Sequence, residues 1–123
     1  MPFWAAMRHN RLGRSDLTVS VLGLGCNNFG RRLDRTGTRA VIDAALDAGM
    51  TLLDTADIYG GDGASERLIG ELLGGPRDRV VLATKFDMDR GDDRGEPRGS
   101  RPYARRSLDG SLQRLRTDRV DLL

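Results

Sequence analysis

Four short apolar runs punctuate the chain, VLGLG (21–25), MTLLD (50–54), RVVLATK (79–85) and RVDLL (119–123), and the three segments between them carry apolar residues at helical spacing. That alternation constrains the fold more than any other feature. Runs of this length suit strands buried on both faces, and strands alternating with helices through short loops form right-handed βαβ units around a parallel sheet. The first helical segment, TGTRAVIDAALDAG (36–49), has Thr36 or Thr38 as candidate N-cap. Its candidate inward face is Ala40, Val41, Ala44, Ala45 and Ala48, and Gly49 stands at the stop. The second, ASERLIGELLGGP (64–76), is expected to be capped by Ser65, with Leu68, Ile69, Leu72 and Leu73 inward and Gly74 and Pro76 ending it. The third, YARRSLDGSLQRLRTD (103–118), puts Ala104, Leu108, Leu112 and Leu115 on one stripe.

Ahead of these units, residues 11–20 (RLGRSDLTVS) read as a short hairpin with Gly13 in its turn, a plug or lid, and residues 1–10 as an irregular tail. An open doubly wound sheet is complete at about this size, whereas a (β/α)₈ barrel takes about 250 residues. A complete domain seldom stops a few residues into an apolar strand. The expectation is therefore the N-terminal part of a (β/α)₈ barrel, residues 11–123, cut in its fourth strand.

Composition narrows the function classes. The charges are 20 Lys and Arg against 18 Asp and Glu, a net +2 with the signs interspersed, so neither nucleic acid nor an anionic membrane is the expected partner. The single cysteine, Cys26, and the single histidine, His9, leave no thiol pair and no histidine cluster for a metal. With no signal-like or membrane-length apolar stretch either, the expected location is a reducing cytoplasm.

Of the 20 basic residues only one, Lys85, is lysine. It stands at the end of the third apolar run, where a lysine otherwise snorkels to solvent. Arginine serves generic surface charge equally well, but it neither releases its proton nor acts as a compact point charge. Lys85 thus looks selected for what arginine lacks. Asp54, at the end of the second run, reads alone as a cap or turn residue, although in a barrel the carboxyl ends of the strands face the active site. Tyr59 lies five residues beyond it in the following loop, while Tyr103 reads as structural. GLGCNNFG fails the dinucleotide fingerprint because Asn28 stands where the third glycine belongs and the helix opens too late, although Gly25 still admits a close backbone approach. The charged stretch at 87–102 fails as a calcium loop, with Gly91 and Asp92 at the fifth and sixth positions, and reads as a solvated loop bordering the face of Lys85.

Together, LGLGCNNFG (22–30), DTADIYG (54–60) followed by ASERLIGELL, VVLATKF (80–86) and SLQRLRTDRVDLL (111–123) resemble the aldo-keto reductase family over residues 11–123. The resemblance implies a (β/α)₈ barrel that uses NADPH to reduce aldehydes and ketones, with a small carbonyl compound as substrate and a tetrad of Asp, Tyr, Lys and His. By motif, Asp54, Tyr59 and Lys85 match the first three. The family's histidine falls just past Leu123, and His9 matches nothing. The implied chemistry has Tyr59 as general acid to the carbonyl oxygen. A free phenol, at a pKa of about 10, suits neutral pH poorly, and an adjacent ammonium, Lys85 oriented by Asp54, favours the phenolate. Gly25, Cys26 and Asn27, with Asp54, match the family's contacts to the nicotinamide end, although Thr is usual at the Cys26 position. The remaining cofactor contacts come from later loops, so the 123 residues alone are expected to be inactive. Two other readings stay open: a nucleotide-sensing binding module of the same fold, and a truncated product without function.

Overall fold

The computed structural model describes residues 6–86 and 95–123. A two-stranded antiparallel hairpin, β1 (His9–Arg11) and β2 (Thr18–Ser20), precedes a three-stranded parallel sheet of β3 (Gly23–Gly25), β4 (Leu52–Asp54) and β5 (Val81–Ala83). Helix α1 (Arg35–Asp47) connects β3 to β4, and α2 (Ala64–Leu72) with a 3₁₀ turn (Gly75–Arg79) connects β4 to β5. Helix α3 (Arg101–Leu115) follows β5. Beyond α3, Leu122 bridges Ala83 in parallel, and the Asp121 N–H donates to the Leu82 carbonyl at 2.8 Å. The strands therefore add in chain order, without the reversal that marks a doubly wound sheet, which is the order of a barrel.

The hairpin closes the amino ends of the strands. Ser20 Oγ accepts from the Thr51 N–H at 2.9 Å and the Leu52 N–H at 3.3 Å, and the Ser20 N–H donates to Thr51 Oγ1 at 3.0 Å. The entry to β4 is thereby tied to β2. Pairing begins at His9, two residues ahead of the expected hairpin, and the turn passes Gly13 at φ +58°.

Helix starts depart from expectation in an instructive way. Asp34 caps α1, its carboxylate accepting from the Gly37 N–H at 2.8 Å, so Thr36 and Thr38 lie inside the helix. The buried residues of α1 are Thr38, Ile42 and Ala45, with Val41 and Leu46 packed against the core; Ala40, Ala44 and Ala48 face outward. Ile42 and Leu46 remove more apolar area from water than an alanine stripe does, and the helix turns to bury them. Ser65 does not cap α2: Gly63 does, at φ +74°, and Ser65 is buried in the first turn. Ile69, Leu72 and Leu73 point inward as expected, with Leu68 partly buried. In α3 the Ser100 hydroxyl accepts from the Tyr103 N–H, Tyr103 and Leu115 are buried, and Ala104, Leu108 and Leu112 are half-buried.

The core joins Cys26, Phe29, Ile42, Leu53, Ile69, Leu72, Leu73, Val80, Leu82 and Leu115. Helices α2 and α3 meet at Gly70, where a Cβ would lie 2.7 Å from the Leu115 carbonyl carbon. Gly70→Ala must push the helices apart and is expected to cost about 1–3 kcal/mol in urea unfolding. Gly74, with nothing within 4 Å of its would-be Cβ and φ −47°, supplies the control. Gly74→Ala is expected to be neutral or to stabilise by about 0.4–1 kcal/mol.

Candidate active site

The parallel register aligns Gly25, Asp54 and Ala83 at the carboxyl ends of the sheet. Backbone pairing continues one step beyond: the Cys26 N–H donates to Asp54 O at 2.9 Å, the Thr55 N–H to Ala83 O at 2.9 Å and the Asp57 N–H to Lys85 O at 3.1 Å. Residues 56–61 then turn tightly, with the Tyr59 N–H on Ala56 O and the Gly61 N–H on Ile58 O, which brings Tyr59 back over the strand ends.

Three side chains expected to act together do meet. Lys85 Nζ donates to Asp54 Oδ1 at 2.6 Å, to the Thr55 carbonyl at 2.9 Å and to the Tyr59 hydroxyl at 3.4 Å, and it lies 5.0 Å from the Tyr59 ring centroid. The three ammonium protons thus have three acceptors arranged around one atom. A planar guanidinium does not reproduce that geometry. The Lys85 and Asp54 side chains stay 47% and 46% exposed, so the cluster sits on an open rim. Partial burial pulls the Lys85 pKa down, but the hydrogen bonds to Asp54 and Tyr59 outweigh it and the net shift is upward. Lys85 is therefore cationic at neutral pH. With its folded value raised above the ordinary 10.5, any stabilisation from the pair is fully present below that value and is lost as pH rises through the higher folded one.

Gly25 and Asn27 are exposed at the end of β3, and a Cβ on Gly25 would meet nothing within 4 Å. That leaves open space beside Asp54, the register partner of Gly25. The Cys26 side chain points the other way. It is fully buried, Sγ donates to the Leu24 carbonyl at 3.4 Å, and burial pushes the thiol up to about 12. Strand alternation sends the Cys26 side chain into the core between its outward neighbours Gly25 and Asn27. His9 sits on the hairpin, its Nδ1 3.0 Å from Met7 O, away from the cluster. Of the charged stretch at 87–102, residues 87–94 lie outside the described residues. Among the described residues no three His, Cys, Asp or Glu side chains are placed to hold a metal, and no helix is long and apolar enough to cross a membrane.

A second concavity of about 350 Å³ opens at the other end of the sheet, between the ends of α2 and α3. Its arginines are engaged within the protein: Arg77 with Asp121, Val80 O and Arg119 O, and Arg119 with Asp78.

Sequence reasoning missed the layer beneath the cluster. Ser65 Oγ donates to Cys26 O at 2.8 Å and lies 2.9 Å from Thr55 Oγ1, and the Thr84 hydroxyl donates to Glu66 Oε1 at 2.6 Å. Glu66 has no exposed surface and pairs with Arg114 Nε at 2.6 Å. One signal was present, since Glu66 falls at helical spacing from Ile69 and Leu73 and so places an acid on an apolar stripe.

The model of the Aldo/keto reductase family matches residues 21–123. The chain belongs to that family. Its relatives include two uncharacterized oxidoreductases of Bacillus subtilis, YrpG at 42% identity over 94% of this chain and 39% of that protein, and YqkF at 37% over 94% and 38%. Among solved structures, aldo-keto reductase AKR11C1 from Bacillus halodurans, in its holo form, superposes with a TM-score of 0.78 at 37% identity, covering 93% of this chain and 38% of that one. PA4992 of Pseudomonas aeruginosa, assigned to the aldo-keto reductases, gives a TM-score of 0.81 at 38% identity over 94% and 45%. The chain thus spans about two fifths of the length of the curated relatives it matches. The parallel sheet described above is the corresponding part of the aldo-keto reductase barrel, and the family identity is that of an oxidoreductase.

The buried thiol gives a direct test of this packing. With its value at about 12, the thiolate fraction at pH 8 is on the order of 10⁻⁴. Cys26 is expected to resist an aromatic disulfide reagent in the native chain and to react stoichiometrically in denaturant. Equal reaction rates in both states contradict the packing.

Proposed function

We propose that this chain carries the proton-donating half of an NADPH-dependent reductase of aldehyde and ketone carbonyls. The observation that carries the reading is the position of Lys85 Nζ, shared among Asp54 Oδ1, Thr55 O and the Tyr59 hydroxyl. Asp54 orients the ammonium, and the ammonium stabilises negative charge on the Tyr59 oxygen as its proton leaves. Tyr59 binds the carbonyl oxygen of a small substrate by hydrogen bond and donates that proton as charge develops there. The nicotinamide cofactor, when bound, supplies the hydride. Gly25 and Asn27, with Asp54 between them and Lys85, would border its ring; Cys26 holds the loop behind them.

The same reading makes the protein a small-molecule enzyme of the cytoplasm with neither nucleic acid nor membrane as partner. It also makes the 123 residues on their own inactive, since His9 is far from the cluster and no other histidine is present.

The test replaces the matched segment of YrpG with residues 21–123 of this chain. The chimera is expected to oxidise NADPH in the presence of a small aldehyde, while the 123-residue chain gives only background. Tyr59→Phe in the chimera is expected to lower kcat by about 10²–10⁴-fold, with a smaller change in KM. A Tyr59→Phe chimera that keeps its rate sinks the mechanism.

A further inference from the structure

We infer that the first turn of α2 is a positioning bracket for the reacting side chains: Ser65 spans the ends of β3 and β4 while Glu66 holds the end of β5. The inference rests on reading Asp54, Tyr59 and Lys85 as the reacting set. Each bond of the bracket lands one residue from a site residue. Ser65 Oγ reaches Cys26 O, next to Gly25, and Thr55 Oγ1, next to Asp54; Glu66 Oε1 reaches the hydroxyl of Thr84, next to Lys85. Ser65, Thr55 and Glu66 are 0% exposed and Thr84 is 2% exposed, so water does not compete for these bonds.

Strand geometry turns such bonds into control of direction. Successive side chains point to opposite faces, so fixing Thr84 inward fixes Lys85 outward, toward Asp54. The carboxylate of Glu66 is matched from the far side by Arg114 Nε at 2.6 Å, and Arg114 reaches it across Gly63, where a Cβ would fall 2.6 Å from Arg114 Cδ. Apolar residues would fill this space without burying any charge, and buried ion pairs commonly add no stability over such packing. What the charged version adds is directional hold on the ends of the strands. Ser65 and Glu66 are accordingly positioning residues, acting through Thr55 and Thr84.

The test uses the 123-residue chain and its single lysine. An amine-acylating ester modifies only Lys85 and the amino terminus, and mass spectrometry separates the two. Below the lysine pKa the rate follows the unprotonated fraction, so loosening the contact with Asp54 accelerates it. Thr84→Val is expected to acylate at Lys85 about threefold faster or more, Thr84→Ser to stay within about twofold of the parent, and Asp54→Asn to set the upper limit. Ile42→Ala, a core cavity on α1, is expected to leave the rate unchanged although it destabilises the chain. If Thr84→Val does not fold, Ser65→Ala decides the matter on the same scale.

Thr84→Val at the parent rate, Ile42→Ala accelerating as much as Thr84→Val, or a parent as reactive as Asp54→Asn would each overturn the bracket. Acylation requires no turnover. A failed bracket therefore leaves the Tyr59 assay standing, and a Tyr59→Phe chimera with full rate removes the catalytic reading without touching the acylation pattern.

Discussion

A carboxylate with no exposed surface has to be matched where it stands, and Glu66 is matched from two sides, by Arg114 of α3 and by Thr84 at the end of β5. That requirement organises much of the molecule. It sets α3 against α2, which then touch at a glycine, Gly70, because nothing larger fits beneath the Leu115 backbone. It holds the end of β5 against the first turn of α2. It also explains why α2 begins at Gly63 without a side-chain cap: the space a capping residue would occupy is crossed by Arg114.

At the same end of the sheet, the opposite electrostatic arrangement prevails. The Lys85 ammonium is buried only in part and gathers three acceptors around one atom, a carboxylate, a carbonyl and a phenol. The inner layer is closed to water and the outer layer is open to it. Rigidity beneath and access above are the two conditions that a pre-organised site needs. The thiol of Cys26 belongs to the inner layer, while its neighbours Gly25 and Asn27 are exposed.

Much of this was legible before any coordinates. The alternation of apolar runs and helical stripes named the βαβ order, and the lone lysine, placed after VVLAT among nineteen arginines, pointed to a compact charge with a particular task. Helix starts are less legible in the sequence. Thr36 and Thr38 are the cap candidates by pattern, yet the path of the loop places Asp34 where its side chain reaches the Gly37 N–H. Ser65 differs for the same reason, since a serine before an apolar stripe resembles a cap whether or not its hydroxyl is claimed by a distant strand. Of the periodic face of α1, Val41 and Ala45 do meet the core while Ala40, Ala44 and Ala48 do not, because periodicity ranks positions whereas burial is decided by which side chains the sheet can receive.

The sequence by itself determined the order of strands and helices, the family, and the places of Asp54, Tyr59 and Lys85 at or just beyond the strand ends, because these depend on local pattern and motif spacing. Only the tertiary structure decided that Cys26 turns inward, that Gly63 opens α2, and that Ser65, Glu66 and Arg114 find their partners beneath the Lys85 cluster. Those outcomes rest on contacts between residues far apart in the chain: Ser65 with Cys26, Glu66 with Arg114, Lys85 with Asp54. A buried polar group takes whichever partner the packing of elements brings within about 3 Å, and no periodicity along the chain records that choice.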